Sequence, residues 1–115
     1  MTLRKAKELS QKHWEMRVRY LREKKRHPTD EEILEEMPEL KSVFAFCGLC
    51  HYYIVETGKG CSSCRLAKKL GHDCLKSDSY YRKAYPLMSG HTGALKYAEK
   101  LLEAIKSIKV RGGQS

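Results

Sequence analysis

Cys47-Gly-Leu-Cys50-His-Tyr-Tyr-Ile-Val-Glu-Thr-Gly-Lys-Gly-Cys61-Ser-Ser-Cys64 is the stretch from which the rest of the chain is read. Each C-x₂-C pair can grip one metal ion from a tight turn, and two such turns complete the tetrahedron that Zn²⁺ takes in structural sites. Cys47, Cys50, Cys61 and Cys64 are therefore the expected ligands of one Zn²⁺. Gly48 permits a tight turn between the first two, and Gly60 an unusual backbone angle just before Cys61. The β-formers of His51–Glu56, followed by turn chemistry at Thr57–Gly60, predict a short hairpin between the two cysteine turns. Cys74 is the alternative ligand, and His51 and His72 are alternative ligands by chemistry. Four thiolates also suit an iron–sulfur cluster, which keeps electron transfer as a minor alternative.

Working outward, residues 3–27 hold no Gly or Pro and predict a long helix that Pro28 ends. At about 100° per residue, Arg4, Lys5, Lys12, Arg19, Arg22 and Arg26 share one arc, a basic ridge. Ala6, Leu9, His13, Met16 and Tyr20 share another face, with Leu3, Trp14, Val18 and Leu21 beside it. Thr29-Asp-Glu-Glu32 reads as a capping box opening a short acidic helix to about Met37, stopped by Pro38. Residues 40–46 read as a strand or irregular lead-in. Beyond the hairpin, helices are expected from Cys64 to about Leu70 and from Ser77 towards Tyr85, then a loop over Leu87–Gly93. A closing amphipathic helix, about Thr92 to Val110, repeats Leu95, Ala98, Leu102, Ile105 and Ile108 at helical spacing, with Leu101 widening the stripe.

The expected fold is therefore mainly α with a small β-hairpin. It is a zinc-ribbon or treble-clef-like finger flanked by a long N-terminal helix and an amphipathic C-terminal one. Residues 1–41 carry the basic and acidic helices, 42–85 the zinc finger, and 86–115 the last helix and tail, all within one compact domain. With 115 residues the core is small, so a metal staple matters.

The formal net charge is +9. A zinc site with four thiolates takes away about two units, leaving roughly +7, which favours polyanions. Residues 1–28 carry ten Lys/Arg against three Glu, and residues 29–41 carry six Asp/Glu against Lys41. The first reading is thus nucleic-acid binding, DNA or RNA, by Arg4, Lys5, Lys12, Arg19, Arg22 and Arg26 with Lys59, Arg65, Lys68 and Lys69. Arg82 and Lys83 add charge, and Tyr52, Tyr53, Tyr80 and Tyr81 are candidates for base stacking or for packing round the finger. Against this stands a ridge that is merely solvated, or neutralised by the acidic helix folding back. The alternative is a protein–protein interaction factor that acts on a host enzyme or complex. Its surfaces would be the acidic helix, the Trp14 stripe or the last helix, and the same stripes offer a homodimer contact.

A closed four-thiolate site leaves no open position for catalysis. The five His are scattered, and H-E-x-x-H and the nucleophile elbow do not occur. The chain reads as a non-enzyme. No apolar run is long enough to span a membrane, the N-terminus lacks a secretory signal, and five cysteines in paired spacing suit a reducing compartment, hence the cytoplasm.

Residues 46–85 resemble short cysteine-cluster proteins of tailed phages and prophages. The likeness is carried by Cys47/Cys50, Gly60-Cys61/Cys64, Leu66, Cys74, Ser79 and Tyr81, with Leu95–Ile108 as the closing helix. Arg65 and Ala84 depart from that pattern, where proline and tryptophan are usual. The resemblance implies metal binding in a viral or mobile-element protein of the host cytosol, and supplies no activity. Separately, His27–Glu36 is similar to the opening of a sigma-factor helix-turn-helix. Pro38 and the Phe44–Cys47 stretch leave little room for the second helix, so the segment reads mainly as helix-capping chemistry.

Overall fold

The computed structural model describes residues 2–43, 46–58 and 86–109. Helix α1 spans Leu3–Glu23 and α2 spans Asp30–Glu36, with a 3-10 turn over Pro38–Ser42 after it. A short α turn, Gly48–Cys50, continues into a π-helical segment, His51–Glu56, and together they form α3. Helix α4 spans Pro86–Lys106.

Helix α1 starts where the Thr2 hydroxyl accepts the Lys5 N–H at 3.1 Å. It stops at Glu23, short of Pro28: Lys24 caps it by donating its N–H to the Tyr20 carbonyl, and Lys25 turns the chain at φ 60°. The residue before a proline avoids helical geometry, so the turn is made before His27. Helix α2 follows with the expected capping box, in which the Glu32 N–H reaches Thr29 Oγ1 and the Thr29 N–H reaches Glu32 Oε1.

Two apolar stripes on α1 bury against two different partners. Leu9, Met16 and Tyr20 pack with Ile33, Met37, Leu40 and Val43 of α2 and the 3-10 turn. Leu3, Ala6, Trp14, Val18 and Leu21 pack with Leu49 and Tyr53 of α3 and with Ala94, Ala98, Leu101, Leu102, Ile105 and Ile108 from α4 and its exit. Each fully buried Leu or Ile contributes roughly 1.5–3 kcal/mol relative to exposure. With two sides covered, α1 is the spine of the described fold. The Trp14 stripe, expected as a docking surface, is interior: Trp14 is 3% exposed.

The expected β-hairpin finger is corrected. The described residues contain no strand, and His51–Glu56 is helical, with the Thr57 N–H reaching the Tyr52 carbonyl at 3.0 Å. A zinc ribbon built on that hairpin is therefore not the fold. The physical reason is burial. As a strand, Tyr53 and Val55 share a face; in the structure Tyr53 is 6% exposed and Val55 54%. Helical winding instead aligns Tyr53 with Leu49, one turn earlier, against α1 and α4. Tertiary packing overrides the β-preference of this short run.

Two further boundaries differ. Residues 38–42 form a 3-10 turn where a strand or irregular lead-in was expected. Helix α4 begins at Pro86, so the Leu87–Gly93 loop is helix, as proline is tolerated in a first helical turn. The helices expected over 64–70 and 77–85 lie outside the described residues.

Candidate nucleic-acid interface and metal centre

The basic ridge exists on α1, but most of it is paired. Lys5 and Lys12 share one carboxylate, Glu8, at 3.5 and 3.0 Å. Those two lysines hold the Glu8 carboxyl below its usual range, Lys12 contributing most. Arg19 Nη2 donates to both oxygens of Glu36, each at 2.6 Å. Arg26 meets Glu32 fork to fork at 2.7 and 3.0 Å. Arg22 reaches across to Glu99 of α4 at 2.7 Å. Arg4 is exposed and has no ion-pair partner among the described residues.

The ridge therefore divides. Its N-terminal part offers Arg4, Lys5 and Lys12 against Glu8, while Arg19, Arg22 and Arg26 each face a carboxylate of α2 or α4. The folding back of the acidic helix is what neutralises Arg19 and Arg26. The sequence already carried part of this signal: Glu8 is one turn from both Arg4 and Lys12, and Glu15 one turn before Arg19, so the arc was never purely basic. The contact of Arg22 with Glu99 has no local signature. Lys59, Arg65, Lys68 and Lys69 lie outside the described residues.

Behind the ridge, α1 buries a polar chain that periodicity does not reveal. Arg17, 8% exposed, donates Nε–H to His13 Nε2 at 2.8 Å and brings Nη1 within 3.0 Å of His27 Nδ1. Its guanidinium also lies 5.5 Å from the centre of the Trp14 ring. Burial, then the Arg17 charge, pushes His13 down to about 3, so the ring is neutral. Since Nε2 accepts, Nδ1 carries the proton. Among the described residues it has no partner at full hydrogen-bond geometry, although the nearby Phe46 backbone acts as a hydrogen-bonding group that favours the charged ring.

Between α1 and α4 lies a half-open groove of about 370 Å³, with Val18 and Leu102 as its apolar lining and walls of both signs, Glu15, Glu23, Glu99 and Glu103 beside Arg19, Arg22 and Lys106. Of the tyrosines expected to stack on bases, Tyr53 is core and Tyr52 packs against it edge-on at 5.0 Å. Tyr80 and Tyr81 lie outside the described residues.

Of the expected metal ligands, Cys47 is fully described. It is half-buried at the start of α3, its carbonyl accepting the His51 N–H at 2.9 Å. Its Sγ lies 3.8 Å from Ser10 Oγ, and that oxygen accepts the Leu49 N–H at 3.0 Å. Either atom can donate in the contact between Ser10 and Cys47, and the hydroxyl would be the donor to a Cys47 thiolate, which has no proton of its own. A hydroxyl donating to sulfur is the support a thiolate ligand takes from its surroundings, so Cys47 fits a metal. The Cys50 side chain, Cys61, Cys64, His72 and Cys74 lie outside what is described. Among the described residues no three His, Cys, Asp or Glu converge on one point. His51 faces Glu56 at 3.7 Å. Gly48 has a role other than the one expected. Its Cα packs on α1 so closely that an added Cβ would collide with the Ala6 carbonyl oxygen and press on Leu9.

No family model, curated protein or solved structure matches this chain. Among the described residues no helix is long and apolar enough to cross a membrane.

Proposed function

We propose that this chain is a small zinc-binding, non-catalytic protein that binds nucleic acid in a regulatory or architectural role. Its setting is the host cytosol, as a viral or mobile-element factor of the kind its cysteine pattern resembles. The observation that carries the binding is the N-terminal turns of α1, where Lys5 and Lys12 share the Glu8 carboxylate and Arg4 is exposed beside them. Further surplus lies between residues 59 and 85, with seven Lys/Arg against Asp73 and Asp78. Cations in excess of local acids attract a phosphate backbone by releasing its counterions. The zinc reading rests on the spacing of Cys47, Cys50, Cys61 and Cys64, with Cys74 as the alternative, and on the hydroxyl support at Cys47. Bound there, zinc supplies cross-linking of the chain rather than chemistry.

The test is binding of a labelled mixed-sequence oligonucleotide, single-stranded and duplex, DNA and RNA, across a salt series. Wild-type protein is expected to bind near physiological salt, and R4Q/K5Q/K12Q to lose most of that affinity with its helix content intact. Failure of the wild type to bind any of the four overturns the reading.

A second reading, a protein-binding factor without nucleic acid, is favoured by the groove between α1 and α4, whose walls of mixed charge, Glu15, Glu23, Glu99 and Glu103 with Arg19, Arg22 and Lys106, suit a charged segment of a partner. Capture of one defined host protein after nuclease treatment, lost on E15Q/E103Q, would distinguish it.

A further inference from the structure

We propose that Arg19, Lys24 and Arg26, gathered round the Tyr20 ring, form a second phosphate site for a nucleic-acid backbone, and that α2 holds it shut with the carboxylates of Glu32 and Glu36. The inference rests on the nucleic-acid reading above and adds its regulation.

Three cations converge on one ring. The Arg19 and Arg26 guanidinium carbons each lie 5.5 Å from the Tyr20 centroid, and Lys24 Nζ lies 4.9 Å from it. Tyr20 itself is 8% exposed, so it orders the cations and does not stack on a base. Each arginine presents the forked donor pair that fits carboxylate and phosphate alike. Glu36 takes Arg19 Nη2 with both oxygens, and Glu32 fills the fork of Arg26. The two acids are one turn apart on α2, so a single helix face delivers two anions to two guanidinium groups, as two phosphates of a strand would.

This contact is suited to exchange. The pairs are exposed, with side-chain exposures of 47% and 39% for Arg19 and Glu36 and 47% and 25% for Arg26 and Glu32. Exposed pairs hold weakly and are screened by salt. The body of α2 is held separately, by Ile33 and Met37 against Leu9, Met16 and Tyr20. Glu36 can therefore swing aside while α2 stays docked, and Glu32 can release Arg26 while still accepting the Thr29 N–H. They remain tethered near the site, where like charge opposes an incoming phosphate. The site is damped, and removing the two charges opens it.

The experiment compares wild type, E32Q/E36Q and E31Q/E35Q in oligonucleotide binding across a salt series. Glutamine at 32 preserves the capping box, so α2 is kept; circular dichroism checks it. Both variants change the net charge equally, but Glu31 and Glu35 are exposed and pair with no described arginine. E32Q/E36Q is expected to bind about tenfold more tightly at physiological salt. Its duplex log K against log salt should be steeper by roughly 1.8, for two added phosphate contacts. E31Q/E35Q should show a clearly smaller gain, and adding R19Q/R26Q to E32Q/E36Q should abolish the gain. Equal gains from both variants, or no gain with wild-type binding intact, overturn the damped site and leave the binding function standing. Absence of binding by every protein overturns both.

Discussion

His13 shows how a single residue couples this fold to pH. Its ring is neutral chiefly because it is buried and then because it faces the Arg17 guanidinium, with His27 beyond and only the Phe46 backbone favouring the charge. The folded pKa, about 3, lies below the ordinary value of 6.5. A histidine depressed in this way stabilises the fold fully above the unfolded pKa, and that stability is lost as pH falls from about 6.5 towards 3. The loss runs at about 1.4 kcal/mol per pH unit. Glu32, held at about 2 chiefly by Arg26 and then by the Thr29 N–H, adds its own loss only below its ordinary 4.5. The interval from 6.5 to 4.5 therefore isolates histidine. Urea unfolding is expected to show falling stability there for wild type and a flatter profile for H13Q, which keeps an acceptor for Arg17 but does not titrate. Ser10 is a second pivotal residue. Truncation in S10A removes the acceptor of the Leu49 N–H and the hydroxyl beside Cys47. It should destabilise the fold by about 1–3 kcal/mol and weaken zinc affinity by roughly 10–100-fold, read by denaturant melts and chelator competition. At Lys25, φ 60° strains a side chain that glycine would not have, so K25G should raise stability by up to about 1 kcal/mol.

Among the elements, α3 separates what could be read from what could not. The capping box of Thr29 and Glu32, the start of α1 and the stripe of α4 all follow from local signals, and the structure forms each of them, although α1 ends at Glu23 rather than at Pro28. Even the two apolar stripes of α1 were visible as spacing, although not that each has its own partner. The helical state of His51–Glu56 was not visible, because local β-preference points one way and the burial of Leu49 and Tyr53 the other. Nothing local announces which wins. The approach of α3 to α1 at Gly48 was equally hidden, since a glycine between cysteines reads as turn chemistry. Its consequence is specific: G48A should destabilise the fold by a few kcal/mol, in the manner of an overpacked core, although alanine is the better helix former. A neutral or stabilising result in a thermal melt would mean that α3 does not sit against Ala6 and Leu9.

Over the whole molecule, the lesson is about charge. A net +9 suggests a surface ready for polyanions, but the described fold uses its acids close to its bases. Arg19 and Arg26 serve α2, Arg22 ties α1 to α4, and uncompensated charge concentrates in the first turns of α1. Sequence reading found the cations and the acids, and named their mutual neutralisation as an option, but distance along the chain gave no means of choosing. The metal belongs to the same scale. Zinc at the cysteine pairs would fasten the stretch between α3 and α4, so chelation is expected to lower the thermal midpoint. Helix α1 with α2, which bury their own cluster, should keep their helical signal.

The account turns on which basic residues of α1 are available, and an NMR titration of the wild-type protein with a short oligonucleotide asks this directly. Backbone amides of residues 4–12 should shift first, with the Nε–H signals of Arg19 and Arg26 nearly stationary in their carboxylate pairs. Early movement of Arg19 and Arg26 with residues 4–12 unmoved, or no shift anywhere on α1, would contradict it.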